Sequence, residues 1–176
     1  MNVDCHNTKK MKYLVIMFCL FLLLIFFSGC PYDSDIALEK NPSTEIDSLI
    51  LGKWYSDNIK GEDCKQEYQI FQFNKFEYYL ELKVLCPKDT EIYRYRGFIT
   101  TFESMQLLNL ENIERDRSFN FFRIIKKKDK LKVAWVSDEY VKQKFTNEIE
   151  LKEYFKDNMY KKGFFDEKNE FILKRE

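Results

Sequence analysis

The residues of this chain with the clearest capacity for covalent chemistry are its cysteines. Cys30 directly follows the small residues Ser28 and Gly29. Two small side chains allow an extended backbone to enter a peptidase site, and the Cys30 thiol is a nucleophile that can take a diacylglyceryl group. Cys64 and Cys86 are the two thiols that follow Cys30 in the chain. The reactions that these residues could support are therefore lipidation at Cys30 and disulfide formation between Cys64 and Cys86.

A positive flank and an apolar segment precede Cys30. Lys9, Lys10 and Lys12 come before residues 13–27, which carry no charge. As a helix these fifteen residues span about 22 Å, which is short of a hydrocarbon core of about 30 Å. The order of flank, apolar run, small pair and cysteine resembles the signal peptides of bacterial lipoproteins.

The resemblance implies that residues 1–29 are a signal peptide and that Cys30 carries palmitate-type acyl chains as a membrane anchor. An uncleaved anchor and plain secretion are the alternatives. Pro31, and not Asp, follows the cysteine. By analogy with enteric bacteria, this favours the outer membrane over the inner membrane of the cell envelope. Met11 directly before Lys12 also makes a compact signal start, so we predict that translation can begin at Met11 instead of Met1.

Composition excludes several classes of function for the segment that begins at Cys30. The chain's single histidine is His6, so this segment has no Ser-His or Cys-His dyad and no imidazole metal ligand. It contains no phosphate-binding glycine loop and no cysteine cluster of zinc spacing. Its 26 basic and 28 acidic residues give no electrostatic footprint for nucleic acid. We therefore predict a protein that is not an enzyme, with no catalytic residue, cofactor or metal.

A change in polarity near residue 49 divides the rest of the chain into a predicted tether and one predicted domain. Residues 30–48 are polar and contain two of the three prolines, which predicts a lipidated cysteine followed by a flexible tether. No second linker or internal repeat follows. A single domain is predicted over 49–176.

An alternation of apolar and polar residues dominates this domain and predicts a mainly β fold. Gly97, inside one of the runs, predicts a bulge or a sharp bend. Because consecutive antiparallel strands bury their edges by closing, the pattern predicts an up-and-down meander that forms a small barrel. The strands are predicted at 49–57, 67–73, 76–85, 91–102, 105–110, 118–125, 131–137 and 170–175.

One helix is predicted before the last strand. Asn147 can cap its N-terminus, with Glu150 as the reciprocal partner, and Gly163 lies near its expected end. Apolar residues then follow helical spacing, which predicts one face packed on the barrel. They are Leu151, Tyr154, Phe155 and Met159.

The residues Gly52-Lys53-Trp54 on the first predicted strand resemble the G-x-W motif of lipocalin-like proteins, which are calycin-type β-barrels. The resemblance implies that Trp54 plugs one end of the barrel. It also implies that a basic side chain of the last strand, here Arg175, packs across the indole ring in a cation–π contact. The structural alternative for Trp54 is an ordinary buried aromatic residue.

Aromatic residues on the predicted inner face leave two functions open. They can line a cavity for a small apolar ligand, or they can fill a barrel whose outer surface binds another protein or glycan. A fatty acid or haem is the type of molecule that the first alternative envisages. The candidate lining residues are Phe71, Phe73, Phe76, Tyr78, Tyr93 and Tyr95.

Cys64 and Cys86 flank the predicted hairpin at nearly equal distances from its turn. Equal arms place two residues opposite each other across an antiparallel pair, so we predict a disulfide, with two unpaired thiols as the alternative. A further turn carries Lys126–Lys128 and Lys130. It is predicted to be a solvated hairpin tip, or else a contact for anionic lipid or polysaccharide.

Overall fold

The computed structural model describes residues 30–56, 64–114 and 117–175. The predicted signal peptide, its apolar segment and both candidate start sites lie outside the described residues. Asp57, the last residue of the first predicted strand, also lies outside them.

The described chain is mainly β, as predicted, with one helix before the last strand. The elements in chain order are β1 (Asp33–Ser34), β2 (Gly52–Ser56), β3 (Lys65–Gln72), β4 (Glu77–Leu85), β5 (Thr90–Phe102), β6 (Met105–Asn112), β7 (Phe119–Lys127), β8 (Lys130–Trp135), α1 (Glu148–Asn158) and β9 (Phe171–Arg175).

Strands β2 to β9 form a closed, eight-stranded antiparallel barrel. Each strand from β2 to β8 pairs with its successor, and β9 closes the barrel by pairing with both β8 and β2. Closure gives each of the described strands β2 to β9 a partner on both sides, which is the physical advantage that the meander pattern predicts. The short strand β1 was not predicted, and it adds to the start of β7.

The two ends of the barrel differ. One end, here called the Trp54 end, has the turns that follow β3, β5 and β7, and residues 46–51 cross it. There the Ile46 N–H donates to the Lys75 carbonyl, and Asp47 pairs with Lys126 of β7. The other end, here called the Cys30 end, has the turns that follow β4 and β6 together with residues 30 and 31.

Apolar side chains form two cores, one on each face of the sheet. The interior core is built from alternate residues of the barrel strands and includes Trp54, Ile70, Leu80 and Leu131. The second core lies outside the barrel, between β5–β8 and a cover made by α1 and the N-terminal segment. It includes Leu38, Phe102, Leu107, Phe121, Val136, Leu151, Phe155 and Phe164.

Helix α1 begins where the sequence predicts it. The Asn147 side chain caps it by accepting a hydrogen bond from the Ile149 N–H at 2.8 Å. Leu151 and Phe155 are fully buried on the outer core. The helix ends at Asn158, and Gly163 follows in the next turn with a φ of 88°.

The prediction of a flexible tether over residues 30–48 is wrong. Tyr32 and Leu38 are buried in the outer core. The Asn109 side chain accepts from the Leu38 N–H at 3.0 Å, and Asn120 donates to the Tyr32 carbonyl at 3.0 Å. The segment docks because Tyr32, Ser34, Ile36 and Leu38 alternate toward the apolar outer face of the barrel.

The prediction of a bulge at Gly97 is also wrong. The register of β5 runs without interruption against both neighbours, with Gly97 opposite Tyr78 on one side and Leu110 on the other. A Cβ at this position would lie 3.0 Å from the Asn109 carbonyl oxygen and 3.0 Å from Leu110 Cδ1. The glycine therefore permits close approach of β6.

Candidate functional site

The barrel encloses an apolar cavity of about 310 Å³. Its walls come from inward residues of β3 to β9, since successive side chains of a strand point to opposite faces. Ile50 forms part of its wall toward the Trp54 end, and Pro31 and Asn120 form part toward the Cys30 end. The other lining residues are Tyr68, Ile70, Tyr78, Leu80, Leu82, Tyr95, Leu108, Leu110, Phe122, Ile124, Leu131, Val133, Trp135, Phe171 and Leu173.

The described wall of this cavity is uncharged. Its polar side chains are three tyrosines, one asparagine and one tryptophan, and its described lining residues include no Asp, Glu, Lys or Arg. Burial raises the pKa of Tyr68, and the neighbouring Tyr95 raises it further. Burial also raises the pKa of Tyr78. Both phenols are therefore neutral at physiological pH, and an ionised group inside the cavity would meet no counter-charge from these residues.

The hydroxyls of Tyr68 and Tyr78 are tied to neighbouring groups. The Tyr68 hydroxyl donates to Gln66 Oε1 at 2.7 Å. The Tyr78 hydroxyl accepts from the Asp47 N–H at 2.6 Å, which ties the cavity wall to residues 46–51 at the Trp54 end.

Trp135 supplies a polar atom of a different kind. It lines the cavity from the end of β8, and its ring lies 6.4 Å from the ring of Phe171, which stacks at 6.3 Å on Tyr68. The indole Nε1 is buried and has no hydrogen-bond partner among the described residues. A buried N–H without a partner costs about 1–3 kcal/mol, so an acceptor that reached this donor would be stabilised there.

The predicted lining residues divide between the two faces of the barrel. Tyr78 and Tyr95 line the cavity. The prediction is wrong for Phe71 and Phe73, which are 45% and 61% exposed. Phe71 lies on the outer face, where its ring is 6.1 Å from that of Tyr79.

Phe76 and Tyr93 do not belong to the lining either. Phe76 lies in the turn before β4, beside Lys75. Tyr93 belongs to β5 and is half-buried, and its hydroxyl donates to Glu91.

Trp135 and Phe171 were missed as candidate lining residues. The sequence does carry a signal for Trp135, because Leu131, Val133 and Trp135 alternate on one face of β8. Phe171 has no such signal, since β9 is short and only its pairing with both β8 and β2 fixes its inward face.

Trp54 and Arg175 meet as the resemblance implies. They are direct partners in the β2–β9 ladder, and the guanidinium carbon lies 4.7 Å from the centroid of the Trp54 ring. Arg175 also donates to the Leu49 and Leu51 carbonyls at 2.9 and 2.8 Å. Gly52 has a φ of 113°, a conformation that other residues rarely adopt.

Cys64 and Cys86 form a disulfide, as predicted, with their Cα atoms 4.2 Å apart. They extend the β3–β4 ladder by one position beyond the Lys65–Leu85 pair. The bond fastens the β3–β4 hairpin at the Cys30 end of the barrel. Closing a loop of this size stabilises a fold by about 3 kcal/mol in the chain-entropy model.

Cys30, the predicted lipid site, is exposed and has a free thiol. Its backbone is held by Asp138: the Cys30 N–H donates to Asp138 Oδ1 at 3.1 Å, and the Asp138 N–H donates to the Cys30 carbonyl at 3.2 Å. The sulfur therefore lies at the surface of a fixed backbone.

A second and larger depression, of about 450 Å³, lies outside the barrel between residues 36–42 and β4–β6. Its wall mixes apolar and charged side chains. Among them is Glu77, which is buried and accepts hydrogen bonds from Asn74 and Arg96. Because Glu77 is already satisfied within the chain, the interior cavity is the better candidate site for an apolar ligand.

No helix in the described part of the chain is long and apolar enough to cross a membrane. Within residues 30–56, 64–114 and 117–175, the His, Cys, Asp and Glu side chains form no group of three that could hold a metal ion.

In comparisons with known proteins, no family model, no curated protein and no solved structure matches this chain.

Proposed function

We propose that this protein is a lipid-anchored lipoprotein of the bacterial cell envelope whose lipocalin-like barrel binds a small, uncharged hydrophobic molecule. The observation that carries the proposal is the apolar interior cavity with its uncharged described wall. Hydrophobic enclosure with a few polar groups is the usual form of a small-molecule site. The anchor is proposed from the order of positive flank, apolar run, small pair and Cys30.

The size of the cavity limits the ligand. A volume of about 310 Å³ equals the space of roughly ten water molecules at about 30 Å³ each. It therefore suits a compact molecule, or one apolar portion of a longer molecule. The unpartnered Trp135 Nε1 adds a preference for a ligand with a carbonyl, ether or hydroxyl oxygen.

Three probes of nearly equal size test this proposal. Acetophenone is neutral and carries an acceptor, cumene replaces the carbonyl by hydrocarbon, and benzoate is charged. We expect saturable binding with a preference for acetophenone over cumene and no binding of benzoate, measured by tryptophan fluorescence and calorimetry. Binding of benzoate alone, or of none of the three, would contradict the proposal.

Mass analysis of the membrane-extracted protein tests the anchor separately. We expect a chain that starts at residue 30 and carries acyl mass, which the Cys30→Ser variant lacks. A chain that retains residues 1–29, or one without acyl mass, would contradict the anchor and leave the ligand proposal intact.

A second candidate function is an envelope or surface interaction through the outer face of the barrel. Phe71 and Phe73 are exposed beside Tyr79, and the guanidinium of Arg96 lies 5.9 Å from the Phe73 ring centroid. Exposed aromatic and arginine side chains are typical of protein interfaces. A specific envelope protein that copurifies with the wild type and is lost with Phe73→Ser would favour this candidate; unchanged copurification would count against it.

A further inference from the structure

The position of Cys30 on the folded domain determines which end of the barrel meets the membrane. We infer that the barrel sits with its Cys30 end against the lipid surface, so that the interior cavity takes its ligand from the bilayer. The inference rests on the proposed lipid anchor, and it adds an orientation that the anchor alone does not give.

The chain is fixed to the barrel immediately after Cys30. Cys30 exchanges two hydrogen bonds with Asp138, and Pro31 bridges to Ser137. The Tyr32 N–H then donates to the Val136 carbonyl at 2.8 Å, and the Tyr32 side chain is only 5% exposed. A flexible tether over residues 30–48 would allow the domain to rotate freely above the membrane. A backbone that is hydrogen-bonded to the barrel at residues 30–32 prevents this rotation.

The Cys30 sulfur determines which surface of the domain lies at the membrane. A diacylglyceryl group on Cys30 places its acyl chains within a few bonds of Sγ, and those chains must lie in the hydrocarbon of the bilayer. The surface around residues 30, 31 and 138 is therefore drawn to the headgroup layer. Strand β7 rises from this end over nine residues, which is roughly 20 Å along the axis of a tilted barrel. The Trp54 end thus points away from the membrane.

The cavity wall reaches the end of the barrel that this orientation places at the membrane. Pro31, the residue next to the lipid site, is itself part of the cavity wall, together with Asn120 of β7. The opposite end is crossed by residues 46–51, where Ile50 is buried and Asp47 bonds to Tyr78. A hydrophobic ligand that passes between the cavity and the bilayer at the Cys30 end avoids transfer through bulk water, which costs about 0.8 kcal/mol for each CH₂ exposed.

The orientation also assigns a role to the basic turn. Lys127 is the last residue of β7, and Lys128 lies in the turn between β7 and β8, at the Trp54 end. This turn points away from the membrane that holds the anchor. Contact of these lysines with anionic lipid of the same bilayer is therefore not expected.

Fluorescent labels at the two ends test the inference in the full lipidated protein. Glu139→Cys places a label beside Asp138 at the Cys30 end, and Lys75→Cys places one at the Trp54 end; both side chains are exposed. The protein is reconstituted in phosphatidylcholine vesicles whose headgroups carry a nitroxide quencher. We expect loss of most of the fluorescence at position 139 and little loss at position 75. Equal quenching, or stronger quenching at position 75, would overturn the inference.

An insertion provides the matched control. Twelve Gly and Ser residues between Cys30 and Pro31 preserve the lipid site but add a reach of roughly 20 Å. We expect this insertion to abolish the difference between the two labels. Intact mass distinguishes failure of the anchor from failure of the orientation. Absence of acyl mass would refute the anchor and the orientation together. An acylated protein with equal quenching would refute the orientation alone.

Discussion

The guanidinium carbon of Arg175 lies 4.7 Å from the ring centroid of Trp54. A side chain of the last strand therefore covers the ring of a fully buried tryptophan. The contact joins β9 to β2, the pairing that closes the barrel. Arg175 is exposed to solvent. Its contribution to stability comes from the position of its planar guanidinium, which covers the indole ring and donates hydrogen bonds to two backbone carbonyls.

Arg175→Ala should destabilise the fold by about 1–2 kcal/mol, because it removes the cation–π contact and leaves the Leu49 and Leu51 carbonyls without their donor. Urea unfolding followed by tryptophan fluorescence measures the loss. Arg175→Lys should recover only part of it, since an ammonium cannot cover the ring and reach both carbonyls. An alanine variant as stable as the wild type would contradict this interpretation.

Asn109 fastens the N-terminal segment to the barrel. It is fully buried, accepts from the Leu38 N–H and donates to Thr100 Oγ1 at 3.0 Å. Asn109→Ala should cost about 2–3 kcal/mol, because it leaves these buried groups unpaired and opens a small cavity. Hydrogen exchange should show faster exchange of the Leu38 amide than of barrel amides. Uniform acceleration across the barrel would contradict a local role.

The ion pair of Asp47 with Lys126 should make stability depend on pH in the acid range. Burial alone would raise the pKa of Asp47, but hydrogen bonds from Lys126 and from the Leu49 N–H, with the charge of Lys126, lower it below its usual value. A carboxyl whose pKa is lowered by folding stabilises the fold above its unfolded pKa of about 3.9. That contribution is lost as the pH falls through the lower native pKa.

Asp47→Asn is the variant that measures this contribution. The difference in unfolding free energy between wild type and Asp47→Asn should be present near neutral pH. Its pH-dependent part should vanish in acid below the native pKa of Asp47. Lys126→Met, which removes the partner, should weaken the pH dependence in the same range. A constant difference at all pH values would contradict the assigned ion pair.

Trp135→Phe should change the selectivity of the cavity more than its capacity. It keeps an aromatic ring beside Phe171 but removes the buried N–H. We expect acetophenone to bind about tenfold more weakly, since a tenfold change corresponds to 1.4 kcal/mol, while cumene binding changes little. Equal weakening of both probes would show that the Trp135 Nε1 does not contact the carbonyl.

The sequence predicts most of the strands because their two faces differ in polarity. In β4, Tyr78, Leu80 and Leu82 alternate with more polar residues, among them Glu81 and Lys83, and all three point inward. In β3 both faces are apolar near the turn: Tyr68 and Ile70 occupy one face, and Phe71 occupies the other. A shift of one residue exchanges the faces, so only the pairing of β3 with β2 and β4 settles that Ile70 points inward.

The average composition of the N-terminal segment does not predict that this segment packs on the barrel. Residues 31–48 are mostly polar, and average polarity predicts an unattached chain. The position of a few residues decides the outcome, because Tyr32 and Leu38 find an apolar outer face that α1 leaves partly uncovered. Likewise, the empty volume of the cavity depends on how the aromatic residues pack, which no count of aromatic residues gives.

Binding of acetophenone to the wild type and to two matched tryptophan variants tests the central claim most directly. Leu82→Trp places an indole in the cavity, whereas Ile92→Trp places one on the exposed outer face of β5. The proposed ligand site predicts saturable, one-to-one binding by the wild type and by Ile92→Trp. It also predicts an affinity at least about tenfold lower for a folded Leu82→Trp. Absence of saturable binding to the wild type, or equal binding by Leu82→Trp, would contradict a ligand site inside the barrel.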